Sequence, residues 1–187
     1  MKRYTITSWC QMRIREMVDT PTFCIDATAG TGRDTEFLCS LLTEEGRVLA
    51  MDVQKQALLQ TAKRLEQSGH RHQAELVLDG HQHMDRYCEE ESADLIMFNL
   101  GYLPGGDHTL ATRADTTQIA LEKSLKILKK GGVISLMIYS GGDTGFDEKE
   151  AVLAWLKELN PKQYTVLVES FYNKPNHPPL PVFIWKN

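Results

Sequence analysis

The sequence predicts an α/β fold built on a mainly parallel sheet with helices on both faces. Three observations predict it. Short, almost wholly apolar runs alternate with helical patterns through most of the chain, as expected of strands buried on both faces. Four successive runs end on a polar residue: Asp26, Asp52, Asp79 and Asn99. The last two β-rich runs are joined by Y-N-K-P-N-H-P-P-L, which is too short for a crossover helix, so they should pair as an antiparallel hairpin.

Residues 8–19 read as a short helix with Trp9, Met12 and Met17 turned inward. Strands follow at 22–26, 47–52, 74–79, 94–99 and 132–139, separated by helical patterns at 33–43, 54–68, 82–90 and 115–130. A helix at 147–159 precedes the β-runs 163–171 and 181–185, which complete a seven-stranded sheet. In such a sheet the ligand sits beyond the carboxyl ends of the strands, near the switch point. The four polar strand ends therefore line one rim, and that rim is the expected site. A mainly parallel sheet closed by an antiparallel hairpin is a methyltransferase-like topology rather than a dehydrogenase-like one.

At 187 residues the chain is expected to form one domain over 1–187. No apolar run approaches the roughly 18 residues needed to cross a bilayer. The N-terminal stretch lacks the apolar core and cleavage site of a signal peptide, so a cytoplasmic location is expected. Cys10, Cys24, Cys39 and Cys88 form no C-x-x-C pair, and Cys24 and Cys39 read as small buried hydrophobes. The pairs His70/His72 and His81/His83 occur at a spacing common in loops, and no metal site is expected. A formal net charge of −4 gives no general support for nucleic-acid binding, and the scattered basic residues read as solvated faces.

The stretch D-A-T-A-G-T-G-R-D-T, 26–35, is a strand running into a glycine turn and a helix. Gly30, Gly32 and Asp52 come close to the dinucleotide fingerprint, which ends on a third glycine and is followed by an acid about 20 residues on. Thr35 stands where that glycine belongs. Asp34 lies in the first helical turn, where a diphosphate would meet a carboxylate. Both departures disfavour a nicotinamide cofactor and suit a cation. S-adenosyl-L-methionine carries an ammonium and a sulfonium and no phosphate. Asp26 and Asp34 are placed to accept from its amino group, Asp52 beside Gln54 to accept both ribose hydroxyls, and Asp79-Gly80-His81 to border the adenine. Gly30 and Gly32 let the backbone come close.

The fourth strand runs into F-N-L-G-Y-L-P-G-G-D-H, 98–108. Methyltransferases acting on amino groups place a tetrad such as N-P-P-Y here, where the first residue accepts the target N–H and the aromatic stacks on a base. Asn99 and Tyr102 occupy those two positions, with Leu100 and Gly101 in place of the prolines.

These motifs, with M-D-V-Q at 51–54, D-G-H at 79–81, N-L-G-Y-L-P-G-G-D at 99–107 and the late N-K-P-N-H-P-P-L-P-V-F-I-W-K, resemble a small bacterial class I methyltransferase family. That family was first labelled as rRNA methylase and is associated with methylation of tRNA 5-aminomethyl-2-thiouridine. The similarity runs over nearly the whole chain. It implies a Rossmann-like class I methyltransferase fold, S-adenosyl-L-methionine as cofactor, and the anticodon region of tRNA as substrate. Asp26, Thr28, Gly30, Thr31, Gly32, Asp34, Thr35, Asp52, Gln54, Gly80, His81 and Asn99 would hold the cofactor. Asn99 and Tyr102 would serve the chemistry, and Leu100, Gly101, Tyr102, Leu103, Pro104 and Tyr139 would face the substrate. The chain departs from the family pattern at Gly142, where a histidine is usual, and at Leu180, where a phenylalanine is usual. The remaining alternatives are an rRNA or small-molecule substrate on the same fold, a nicotinamide-dependent reductase, and a silent binding module. A mobile loop is expected at Gly141 to Gly145, and a homodimer is the expected assembly, since it would broaden the RNA-binding face.

Overall fold

The structure, a computed structural model, describes residues 5–100, 114–139, 145–175 and 178–187. In chain order the elements are α1 (Ile6–Met17), β1 (Phe23–Asp26), α2 (Arg33–Cys39), β2 (Arg47–Asp52), α3 (Lys55–Ser68), β3 (Ala74–Leu78), β4 (Ala93–Leu100), α4 (Ala114–Ile127), β5 (Leu128–Ile138), α5 (Gly145–Glu158), β6 (Tyr164–Val168) and β7 (Leu180–Lys186). The seven strands form one sheet in the order β3-β2-β1-β4-β5-β7-β6. The first five strands pair in parallel. β7 runs antiparallel to both β5 and β6, so the expected hairpin closes the sheet.

The period-2 alternation of the strands divides the core. On β4, Ile96, Phe98 and Leu100 point into one apolar cluster with Leu121 and Leu125 of α4 and Val152 and Leu156 of α5. Leu95 and Met97 point the other way, to Cys10 and Ile14 of α1, Phe37 and Leu38 of α2, and Leu58 and Leu65 of α3. Cys24 and Cys39 are buried in that second cluster, as expected of small hydrophobes. Among the described residues, no helix is long and apolar enough to cross a membrane.

Several elements differ from expectation. α1 buries Cys10 and Ile14, with Met17 packed partly buried against the same cluster as expected, whereas Trp9 and Met12 are not part of it. Trp9 is drawn aside by Glu169, which accepts from its indole N–H, and by an edge-on contact with Phe171. α2 stops at Cys39, where Ser40 donates its hydroxyl to the Phe37 carbonyl at 2.6 Å and three-residue turns replace helical ones. The stretch expected to be a helix at 82–90 is a 3-10 turn, His81–Arg86. It buries His81 and Met84, three residues apart, a spacing that eclipses in a 3-10 helix.

Parallel pairing brings the ends of β1, β2, β3 and β4 to one rim, joined by the end of β5 and the start of β7, where Ile138 pairs with Leu180. β1 has β2 on one side and β4 on the other, which makes the β1/β4 boundary the switch point.

Candidate active site

At the switch point β1 ends on Asp26, whose side chain is 1% exposed. Thr35, one turn into α2, donates its hydroxyl to Asp26 Oδ2 at 2.6 Å, and the Thr28 N–H donates to Oδ1 at 3.2 Å. Burial and then the neighbouring Asp34 charge push the Asp26 carboxyl up to about 7, while the Thr35 hydroxyl pulls it back. Thr35 thus has a definite task where a dinucleotide turn needs a glycine: it braces the first acid.

The turn itself is bonded to three neighbouring elements. The Ala29 N–H donates to the Met51 carbonyl on β2 at 2.9 Å, and the Gly32 N–H closes back on Ala29 at 2.8 Å. Gly32 has φ +79°, and a Cβ there would stand 2.8 Å from the Thr61 Cα on α3. α3 grips the outside of the turn: Thr61 donates to the Gly30 carbonyl at 3.1 Å and Arg64 Nε to the Thr31 carbonyl at 2.8 Å. Arg64 also pairs with Glu36 at 3.2 Å. Thr61 and Arg64 escaped the sequence reading because they lie about thirty residues away on a helix whose amphipathic pattern accounts for them without a turn to hold.

Asp52 at the end of β2 accepts from the Gly30 N–H at 2.8 Å through Oδ2 and from the Gln54 N–H at 2.8 Å through Oδ1. The carboxylate proposed for the ribose is therefore fixed by the glycine turn before any ligand arrives. Gln54 is the N-cap residue of α3, and its side chain makes no capping hydrogen bond. Past β3, Asp79 gathers the Gly80 N–H at 2.8 Å, His83 Nδ1 at 2.7 Å and the Tyr87 hydroxyl at 2.9 Å. Hydrogen bonds, above all from His83, hold its carboxyl below the usual range. His81 turns inward instead, 8% exposed and edge-on to Phe98. Burial lowers its imidazole to about 4 despite a hydrogen bond to the Ala27 backbone, so the ring is neutral at pH 7.

β4 brings Asn99 against the same turn. Its backbone N–H donates to the Thr28 hydroxyl at 2.8 Å, and its side-chain Nδ2 donates to Asp34 Oδ2. Burial raises the Asp34 carboxyl, while Gln11 of α1, Asn99 and Arg33 favour its charged form. Tyr139, 40% exposed, directly follows Ile138 at the rim end of β5, and its phenol is raised by burial and then by the Asp34 charge. α1 is thus part of the site through Gln11, a residue whose polar character gave no signal in sequence. Gly101, Tyr102, Leu103 and Pro104 lie outside the described residues, as does the glycine run 141–145 except for Gly145, which opens α5.

Two buried polar atoms at this rim have no hydrogen-bond partner among the described residues: Asp34 Oδ1 and His81 Nε2. A buried polar atom without a partner is costly, and a ligand is one way to satisfy it. An acceptor beside the glycine turn suits a cationic group, and an imidazole at the third strand suits a heteroaromatic ring. They do not suit a diphosphate.

Comparison with known proteins agrees with that chemistry. The family described as "Putative rRNA methylase" matches residues 48–185. The chain belongs to that family. It is 42% identical to a "putative rRNA-methylase" of Clostridium thermocellum, with all of both chains covered and a TM-score of 0.95. A methyltransferase-like relative from Streptococcus mutans, solved in complex with SAH, is 37% identical over all of both chains with a TM-score of 0.88. The chloroplastic tRNA (mnm(5)s(2)U34)-methyltransferase of Arabidopsis thaliana is 36% identical over 171 residues, which are 87% of this chain and 62% of that protein. This member of the rRNA methylase family has the Rossmann-like class I methyltransferase fold, with β7 antiparallel beside β5 as that fold requires.

Proposed function

We propose that this protein is an S-adenosyl-L-methionine-dependent methyltransferase that methylates the aminomethyl nitrogen of 5-aminomethyl-2-thiouridine at the wobble position of tRNA. The observation that carries the reading is the side-chain hydrogen bond from Asn99 to Asp34 at the switch point, beside the glycine turn. It sets an amide and a carboxyl where enzymes that methylate amino groups meet their target nitrogen. The similarity to the Arabidopsis wobble-uridine enzyme supports the aminomethyl substrate. An rRNA substrate is the second reading, favoured by the family's description.

When bound, S-adenosyl-L-methionine supplies an electrophilic sulfonium methyl. The chain's own residues do the rest. Asp52 and the Gly30 to Gly32 turn hold the ribose end, His81 borders the ring, and Asp26 keeps the turn closed through Thr28 and Thr35. Asn99 orients the target amine, and Tyr102 stacks on the uridine. Much of the rate should come from holding the reactants in line rather than from a strong base.

Tyr102→Ala is expected to leave affinity for S-adenosyl-L-methionine unchanged. It should lower kcat/KM on aminomethylated tRNA by about five- to 150-fold, the cost of one lost stacking contact of roughly 1–3 kcal/mol. Calorimetry and steady-state kinetics measure the two quantities. Weakened cofactor affinity, or an unchanged kcat/KM, would reject this division of the site.

A further inference from the structure

We propose that Asp34 is the proton acceptor for the target amine, with Asn99 holding its carboxyl in place. The inference rests on the aminomethyl reading above and names a residue role within that same site.

An aminomethyl group is mostly an ammonium at neutral pH and has no free electron pair in that form. A methyl-accepting nitrogen must first lose a proton to something within hydrogen-bond reach. Asp34 offers a carboxyl beside Asn99 at this rim. One oxygen, Oδ2, accepts from Asn99 Nδ2, so the carboxyl is tied to the residue that opens N-L-G-Y at the end of β4. The other, Oδ1, is shut off from solvent with no hydrogen-bond partner among the described residues. Asp26 and Asp52 are unlike it, because each already accepts hydrogen bonds with both oxygens, Asp26 from Thr28 and Thr35 and Asp52 from Gly30 and Gln54. Among the described acids at this rim, Asp34 is the one with a buried oxygen that has no hydrogen-bond partner.

The surroundings favour transfer over a persistent ion pair. Among the described residues, the groups facing or influencing Asp34 are Gln11 and Cys10 from α1, Arg33 from its own helix, Asp26 from β1, Asn99 from β4 and Tyr139 past β5. Arg33 is exposed, and Gln11 and Asn99 are neutral. A buried ammonium–carboxylate pair is costly to desolvate, and a neutral amine beside a neutral carboxyl is not. In the step, one ammonium N–H bond breaks, its proton forms an O–H bond on Asp34 Oδ1, and the electron pair stays on nitrogen. The proton passes to water when the product leaves.

The test is the pH dependence of kcat on aminomethylated tRNA for the wild-type enzyme and D34N, with cofactor affinity measured by calorimetry. Asparagine keeps the shape and removes the proton acceptor. Wild-type kcat is expected to be level between pH 7 and 9. D34N should retain cofactor affinity within about threefold and lose about 100-fold or more in kcat at pH 7, in line with a general base. Its rate should then climb about tenfold per pH unit as the amine deprotonates in solution. Parallel profiles would overturn the proposal, and so would a D34N variant that has lost the cofactor, which would make Asp34 a cofactor ligand. The wild-type profile decides alone if D34N does not fold, since a tenfold rise per unit in the unaltered enzyme also overturns it. A wild-type enzyme inactive on this tRNA but active on rRNA would instead overturn the substrate reading on which the proposal rests.

Discussion

Gly32→Ala should lower the melting temperature by about 5–15 °C and abolish measurable binding of S-adenosyl-L-methionine. The residue has φ +79°, and an alanine Cβ would meet the Thr61 Cα at 2.8 Å and its Cβ and Cγ2 at 3.0 Å. The left-handed backbone costs about 1–2 kcal/mol for a non-glycine residue. Pushing the turn away from α3 adds about 1–3 kcal/mol, because the obstacle is backbone rather than the tip of a flexible side chain. Together these give about 2–5 kcal/mol, which for a chain of this size is the shift stated. The displacement also draws Gly30 and Thr31 off Thr61 and Arg64, so the binding loss follows from the same strain. Gly69→Ala is the matched control: it has the same φ of +79°, but nothing lies within 4 Å of its added Cβ. It should lose only the backbone part and keep the cofactor. Equal losses in the two variants would show that contact with α3 is not what shapes the turn.

Asp52→Ala should weaken cofactor affinity by about 100-fold or more. Its carboxylate holds the Gly30 and Gln54 amides, each at 2.8 Å, and in the proposed complex it also accepts from the ribose hydroxyls. Hydrogen bonds to a charged group are worth about 1.5–3 kcal/mol each. Losing the ribose contacts while the Gly30 amide is left without its acceptor therefore amounts to roughly 3 kcal/mol or more, and each 1.4 kcal/mol is tenfold in affinity. Calorimetric titration with S-adenosyl-L-methionine measures it. Affinity within threefold of wild type would remove Asp52 from the cofactor site.

The sheet was legible because its signal is local. Each apolar run of β1, β2, β4 and β5 carries its own evidence of burial on both faces, and the proline-rich connection before β7 excludes a crossover by length alone. The polar ends of these strands marked the rim correctly for the same reason: Asp26, Asp52 and Asn99 all converge on one glycine turn. What escaped was set by distant partners. The buried face of α1 depends on Glu169 and Phe171, about 160 residues away, which remove Trp9 from the core. The 3-10 turn after β3 depends on Asp79 drawing in both His83 and Tyr87, with His81 sent under Phe98. A helical pattern read over 82–90 contains none of that. In sequence Asp26 and Asp34 look like two acceptors for one amino group, yet their surroundings separate them. Asp26 is closed by Thr28 and Thr35, whereas Asp34 keeps one oxygen without a partner.

The most direct measurement is transfer of a labelled methyl group from S-adenosyl-L-methionine to three tRNA pools, unmodified, aminomethylated and carboxymethylaminomethylated, followed by nucleoside analysis. Label is expected on the aminomethylated wobble uridine alone. No product on that pool, or equal label on all three, would contradict a site built around a primary amine.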